Sequence, residues 1–148
     1  MSLTAEDVER LIREGVPETI ERGLKIESVQ GGRARARYPF NPRSIRPGGA
    51  ISGPTIMGLA DAAMYAAILS KLGRFEMAVT SQLNINFLNK ATHTDLIADA
   101  EILRMSKRTA FMEVRIYSEG SDDMTAFATG SYVLVNWEDT ENPTSKQE

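Results

Sequence analysis

The sequence contains no cysteine and a single histidine among its 148 residues. Without cysteine there is no disulfide, no thiolate nucleophile and no cysteine-bound zinc or iron–sulfur site. With His93 as the one imidazole, a multi-histidine metal site is excluded and a Ser-His-Asp triad has a single possible base. Catalysis by this chain must therefore use carboxylates, hydroxyls, backbone amides or that imidazole, and no bound metal is expected.

An excess of charge of one sign and long hydrophobic runs are also missing. The chain has 17 Lys and Arg against 20 Asp and Glu, a formal charge of −3, so it gives no electrostatic reason to expect a nucleic-acid partner. The longest uncharged runs, 47–60 and 124–137, are shorter than the ~20 apolar residues of a membrane-spanning helix. Acidic residues near the start replace a basic-then-apolar signal. We therefore expect a cytoplasmic protein with no membrane partner.

Two periodicities divide the chain. Thr4 and Asp7 start a short amphipathic helix over 4–14, Gly15 ends it, and another turn begins at Pro17. Alternation of apolar and polar residues, bounded by turn residues, predicts six strands. These strands cover 24–30, 33–40, 78–89, 95–106, 108–120 and 124–136. The segment 138–148 has no apolar period and is predicted to be a flexible tail after one domain, 1–137.

A long apolar segment separates the second and third strands. It runs from Pro54 to Gly73 and is apolar nearly all round, so we predict a buried central helix. Short connections between the later strands indicate antiparallel neighbours. The predicted fold is therefore α+β, with an antiparallel sheet of about six strands wrapped around the long central helix.

Asp61 is the one carboxylate in the apolar part of this helix. Burial of an ionised carboxylate costs several kcal/mol unless it is paired, and no basic residue lies one turn away. One interpretation is therefore a functional carboxylate. The other is a narrow solvent-facing stripe of Thr55, Gly58, Asp61 and Tyr65, which lie three or four residues apart.

The start of the same helix offers a second chemical group. Ser52, Gly53 and Pro54 lead into it, so backbone N–H groups near Gly53 lie at the positive end of the helix dipole and can polarise a carbonyl. Asp61 follows two turns later, roughly 10 Å along the helix. The simpler alternative is an ordinary serine cap followed by proline.

The stretches SGPTIMGLADAAMYAA, AVTSQLNINFLNKA, AEILRMSKRTAFMEVRIYSEG and AFATGSYVLV together resemble the hotdog-fold acyl-CoA thioesterases of the PaaI-like branch. The resemblance spans roughly residues 20–136. It implies that Asp61 acts as base or nucleophile, that the Gly53 amide polarises the thioester carbonyl and that Thr80 positions water. It further implies a site between two subunits of a dimer, or of a tetramer of two dimers, with coenzyme A entering as part of the substrate and no other cofactor.

Three positions depart from the family pattern. Its histidine corresponds to Ser52, its next glycine to Pro54, and an Asn or Gln of the preceding loop to Arg46. Ser52 provides no imidazole, so a non-catalytic acyl-CoA-binding or regulatory protein is the main alternative. An enoyl-CoA hydratase is less favoured because His93 lies in a turn, where we expect it to be exposed.

Several other side chains have two interpretations. Lys107 and Arg108 form a basic turn that either contacts coenzyme A or is simply solvated. Tyr65 is a candidate for the acyl pocket. Four apolar residues of the central helix are interpreted as core residues, with the acyl pocket as the alternative: Met57, Leu59, Met64 and Ile68. Arg33, Arg35 and Arg37 share one strand face, interpreted as the charged protection of an edge strand.

Overall fold

A computed structural model of the chain describes residues 3–73 and 78–134. The helices are α1 (Ala5–Gly15), α2 (Glu18–Arg22) and α3 (Gly53–Leu72). The strands are β1 (Lys25–Gln30), β2 (Arg33–Tyr38), β3 (Ala78–Phe87), β4 (Leu96–Met105), β5 (Thr109–Ser118) and β6 (Met124–Leu134). All predicted elements are present, with ends within about two residues wherever both ends are described. The predicted tail, 138–148, lies outside the described residues.

The strands form one antiparallel sheet in the order β1-β2-β4-β5-β6-β3. Its inner face is apolar: Ala110, Met112, Val114 and Ile116 of β5 are all fully buried. Alternation along each strand explains this, because every second side chain points to the same face. These inner residues pack around α3, so the predicted architecture of a sheet around a central helix is confirmed.

Helix α3 is the core of the domain. Ser52 caps its first turn by accepting a hydrogen bond from Thr55 N–H, and Gly73 follows its last turn. The helix is long and apolar enough to cross a membrane, but 61% of its most apolar segment is buried inside the protein. It is therefore the buried core helix of the domain. Leu59, Met64 and Ile68 are fully buried, as predicted for core residues. Met57 is 37% exposed, so the interpretation of Met57 as a core residue is wrong.

Met64 of α3 packs directly against Gly130 of β6. A Cβ atom added there would lie 2.7 Å from the Gln82 carbonyl oxygen and 2.9 Å from Met64 Sδ. Real Cβ atoms essentially never show such short contacts. Glycine at this position therefore allows α3 to pack directly on the junction of β6 and β3.

The arginines of β2 do not protect an edge. Strand β2 lies between β1 and β4, so the edge-strand interpretation is wrong. The arginines instead pair with carboxylates of the neighbouring strands on the outer face. The shortest contacts are Arg33–Glu101 at 3.0 Å, Arg35–Asp99 at 2.7 Å and Arg37–Glu27 at 2.9 Å. Cross-strand charge pairs of this kind stabilise a sheet face.

The true edge strands are β1 and β3. Helix α1 packs beside β1, where the Ile26 N–H donates to Glu9 Oε1 at 2.8 Å. Within the described residues, β3 pairs only with β6, and its other edge is open. Val79 and Phe87, near its two ends, are 54% and 51% exposed. An open edge with exposed apolar side chains is a surface on which another strand can pair.

Candidate active site

Asp61 lies on α3 where the helix faces the first residues of β3 and the last residues of β6. Its Oδ1 accepts a hydrogen bond from Thr80 Oγ1 at 2.7 Å and one from Tyr132 OH at 2.6 Å. The carboxylate is half-buried, and Thr55 of the proposed solvent stripe is only 4% exposed. Thr55 is therefore not part of a solvent-facing stripe, whereas Gly58 is exposed and Asp61 and Tyr65 are partly exposed, as that interpretation expects; within this stripe Asp61 is a partnered carboxylate.

Tyr132 is a site residue that the sequence analysis missed. It is 3% exposed, pairs across the strands with Thr80, and its ring stacks on Tyr65 with centroids 6.1 Å apart. Burial, followed by the charge of Asp61, raises the pKa of Tyr132 well above its ordinary value of 10.0. The phenol is therefore neutral at physiological pH and donates its proton. One signal was present: the inward positions of β6 are small until Tyr132 interrupts them.

A cavity of about 520 Å³ opens beside the carboxylate. Its walls come from the end of α1, the middle of α3, the start of β3 and the end of β6. The predicted residues Asp61, Thr80 and Tyr65 all line it. The other lining residues are Leu11, Glu14, Gly15, Val16, Ala78, Val79 and Tyr132. The lining thus combines apolar residues with two carboxylates and three hydroxyls.

The first residues of α3 form a separate feature. Ser52 Oγ lies 2.7 Å from Thr55 Oγ1, so this hydroxyl is engaged in capping the helix. None of the described residues accepts a hydrogen bond from the Gly53 N–H, as is usual in the first turn of a helix. The Phe87 ring covers Gly53: a Cβ added there would lie 3.3 Å from Phe87 Cζ. The amide is therefore available for a ligand, beside an aromatic wall.

The two predicted catalytic groups do not meet within one chain. Neither Gly53 nor its neighbours Ser52 and Pro54 line the cavity beside Asp61. Two helical turns separate Gly53 from Asp61, roughly 10 Å of rise. A single chain thus presents the amide and the carboxylate at different places on its surface.

The predicted basic positions lie on exposed turns. Lys107 and Arg108 are exposed between β4 and β5. The next residue, Thr109, pairs with Val133, which pairs in turn with Val79, so this turn lies at the Asp61 end of the sheet. Arg46 is exposed in a tight turn in which its own N–H donates to the Ala50 carbonyl at 2.7 Å.

The remaining predicted position, His93, is exposed, as expected. His93 lies between β3 and β4, and the centroid of its ring lies 5.2 Å from that of the Phe40 ring. Among residues 3–73 and 78–134, no three histidine or acidic side chains are grouped as metal ligands.

Comparisons with known proteins give the family and support the fold. Residues 48–125 match the sequence profile of the thioesterase superfamily. A Silicibacter sp. structure, provisionally assigned as a thioesterase, is 29% identical with a TM-score of 0.82, covering 90% of this chain and 93% of that one. A Saccharolobus solfataricus protein provisionally assigned as an esterase is 25% identical over 83% of this chain and 81% of its own length. The Escherichia coli PaaI structure, from the phenylacetic acid degradation operon, is 21% identical over 89% of this chain and 94% of that one, with a TM-score of 0.79, and is alike in fold.

Proposed function

The chain belongs to the thioesterase superfamily and has its hotdog fold, and from this we propose that it is an acyl-CoA thioesterase whose reaction depends on Asp61. The proposal rests above all on the placement of that carboxylate. It is the one acid in the apolar part of α3, it lines a cavity, and two hydroxyls hold one of its oxygens. A carboxylate fixed in this way beside a cavity is suited to activating water or attacking a carbonyl.

In the proposed reaction, the thioester carbonyl accepts a hydrogen bond from the Gly53 N–H at the N-terminus of α3. Asp61 then either takes a proton from a water molecule that adds to the carbonyl carbon or attacks that carbon itself. The carbon–sulfur bond breaks, and the thiolate of coenzyme A leaves and is protonated by the proton that the water gives up. After direct attack, a water molecule hydrolyses the mixed anhydride formed on Asp61, which releases the free acid and restores the carboxylate. The Thr80 hydroxyl donates its proton to Asp61, so it orients the water by accepting a hydrogen bond from that water.

A second copy of the chain would bring the amide and the carboxylate together. Thr80, beside Asp61, lies near the start of β3, and Phe87, over Gly53, lies at its end. When two copies pair about a two-fold axis through the open edge of β3, their strands run antiparallel and the start of one lies near the end of the other. The proposed site is therefore formed between two subunits of a dimer, or of a tetramer of two dimers.

The substrate is proposed to carry coenzyme A, and no further cofactor is expected. Lys107 and Arg108 lie at the Asp61 end of the sheet, where their charges suit phosphate groups. Arg46, Ser52 and Pro54 lie on the loop and turn that lead into α3 and are proposed to contact the substrate near Gly53. A cytoplasmic location stays a prediction.

One observation favours a second function, acyl-CoA binding without turnover. Ser52 stands where the resemblance implies a histidine, and its hydroxyl is engaged with Thr55 in the helix cap. Asp61 and Gly53 must then act without an accessory imidazole. A protein that has lost its activity with that imidazole would keep the cavity and bind the thioester intact.

The test is a panel of short-chain, long-chain and aromatic acyl-CoAs with detection of the free thiol. We expect hydrolysis by the wild type and a loss of about 10²- to 10⁴-fold in Asp61→Asn, as for removal of a general base. Asp99→Asn makes the same change on the outer face, where Asp99 pairs with Arg35, and is expected to retain activity. Unchanged hydrolysis in Asp61→Asn would exclude the carboxylate mechanism. Tight binding without turnover by the wild type would favour the binding protein, and hydration of crotonyl-CoA would favour a hydratase.

A further inference from the structure

The two oxygens of the Asp61 carboxylate are not equivalent. Oδ1 accepts from both Thr80 and Tyr132, whereas Oδ2 accepts from none of the described residues. Hydrogen bonds from two directions determine how the carboxylate plane is rotated about the side chain. The oxygen that remains open to a substrate or a water is therefore Oδ2.

Tyr132 is well placed to make this arrangement rigid. Its ring is 3% exposed and stacked on Tyr65, and its strand is paired with β3 at Thr80. The hydroxyl lies 2.6 Å from Asp61 Oδ1 and 3.1 Å from the Asp61 backbone carbonyl oxygen. Because it carries one proton, its principal hydrogen bond is the shorter one. Burial raises the pKa of Tyr132, so the hydroxyl keeps that proton across the pH range of an ordinary assay.

We propose that Tyr132 is a positioning residue for Asp61: with Thr80 it holds Oδ1, so that Oδ2 is the atom that takes the proton from water or attacks the thioester. This inference rests on the proposed thioesterase function. It assigns Tyr132 a role through Asp61 rather than direct contact with the substrate. A misplacement of about 1 Å at a reacting group can lower a rate about 100-fold, so a freely rotating carboxylate would be a poorer catalyst.

The alternative is a structural role, in which Asp61 only provides a hydrogen-bond acceptor for the buried Tyr132 hydroxyl. The two roles differ in what the loss of the hydroxyl changes. Loss of a structural hydrogen bond lowers stability and affects substrate binding and turnover alike. Loss of a positioning hydrogen bond lowers kcat while KM stays nearly constant, because the substrate still binds to the same cavity.

The experiment compares Tyr132→Phe with the wild type by kcat, KM and melting temperature on the best thioester of the panel. The phenylalanine keeps the buried ring, so we expect a folded enzyme. Its kcat should fall about 10- to 100-fold and its KM should change less than about twofold. Thr80→Val, which removes the other donor, should show the same pattern. Tyr117→Phe removes the hydroxyl of a half-buried tyrosine on β5 and is the matched control, expected to keep wild-type kcat.

Each result decides between these roles. An unchanged kcat in Tyr132→Phe would overturn the positioning role. A lower kcat accompanied by a higher KM and a lower melting temperature would also overturn it. In both cases the thioesterase proposal stands if Asp61→Asn is inactive. A wild type that hydrolyses no thioester would overturn both proposals. The failure of one is therefore distinguishable from the failure of the other.

Discussion

The ring of Phe87, at the end of β3, lies directly over Gly53, at the start of α3. A Cβ atom on Gly53 would lie 3.3 Å from Phe87 Cζ, which is tighter than most real contacts of this kind. Phe87 is also 51% exposed, so part of the ring beside Gly53 faces solvent. An acyl group bound at the Gly53 amide is therefore expected to contact the aromatic ring.

Replacement of Gly53 by proline tests the amide directly, because proline lacks the N–H but fits the first turn of a helix. Ser52 has φ −67° and ψ 146°, a conformation that a following proline accepts. We expect Gly53→Pro to lower kcat about 10²- to 10³-fold, as for removal of an oxyanion donor. Gly53→Ala is the control, because it adds a Cβ against Phe87 and keeps the N–H. Equal activities of the two variants would show that the amide donates no catalytic hydrogen bond.

A mixture of two inactive variants tests whether the site is shared. Gly53→Pro and Asp61→Asn are purified separately and allowed to exchange subunits. If each site takes its amide from one copy and its carboxylate from the other, every mixed dimer has one intact site. About half of the dimers are mixed after random exchange, so about a quarter of wild-type activity should return. No recovery after exchange proved by mass spectrometry would place the whole site within one chain.

The raised pKa of Tyr132 predicts a specific alkaline instability. Because the folded protein holds the phenol neutral, its contribution to stability is complete below the ordinary tyrosine pKa of 10.0 and declines as the pH rises above that value. Burial also raises the pKa of Tyr38, so removal of the Tyr132 hydroxyl abolishes only part of this effect. We expect the melting temperature to fall less steeply above about pH 10 in Tyr132→Phe than in the wild type. If the melting temperature fell equally steeply with pH in the two proteins, the raised pKa of Tyr132 would be contradicted.

The sequence predicted the elements well because their signals are local. Helical spacing, alternation and turn residues lie within a dozen positions, and a lone carboxylate in an apolar helix is visible at once. The strand order is not local. The sequence places β2 beside β1, but its pairing with β4 depends on where the chain returns after α3. The charged face of β2 therefore suggested an edge although the strand is internal.

The site was predictable in part for the same reason. Asp61 could be found from its own helix, but Tyr132 lies 71 residues away and reaches it through the register of β6 against β3. No local pattern encodes that register. Met57 shows a related limit: a helix that is apolar all round does not reveal which of its faces is exposed.

The close contact at Gly130 affects more than local packing. Met64, which fills the space above Gly130, lies three residues from Asp61, and Tyr132 lies two residues further along the same strand. A single methyl group at position 130 would meet the Gln82 backbone oxygen, which has no rotamer by which to move aside. The pairing of β3 with β6 would have to shift, and with it Thr80 and Tyr132, the two donors to Asp61, which lie two residues from Gln82 and Gly130. A residue that touches no substrate thus sets the clearance on which the alignment of the carboxylate depends.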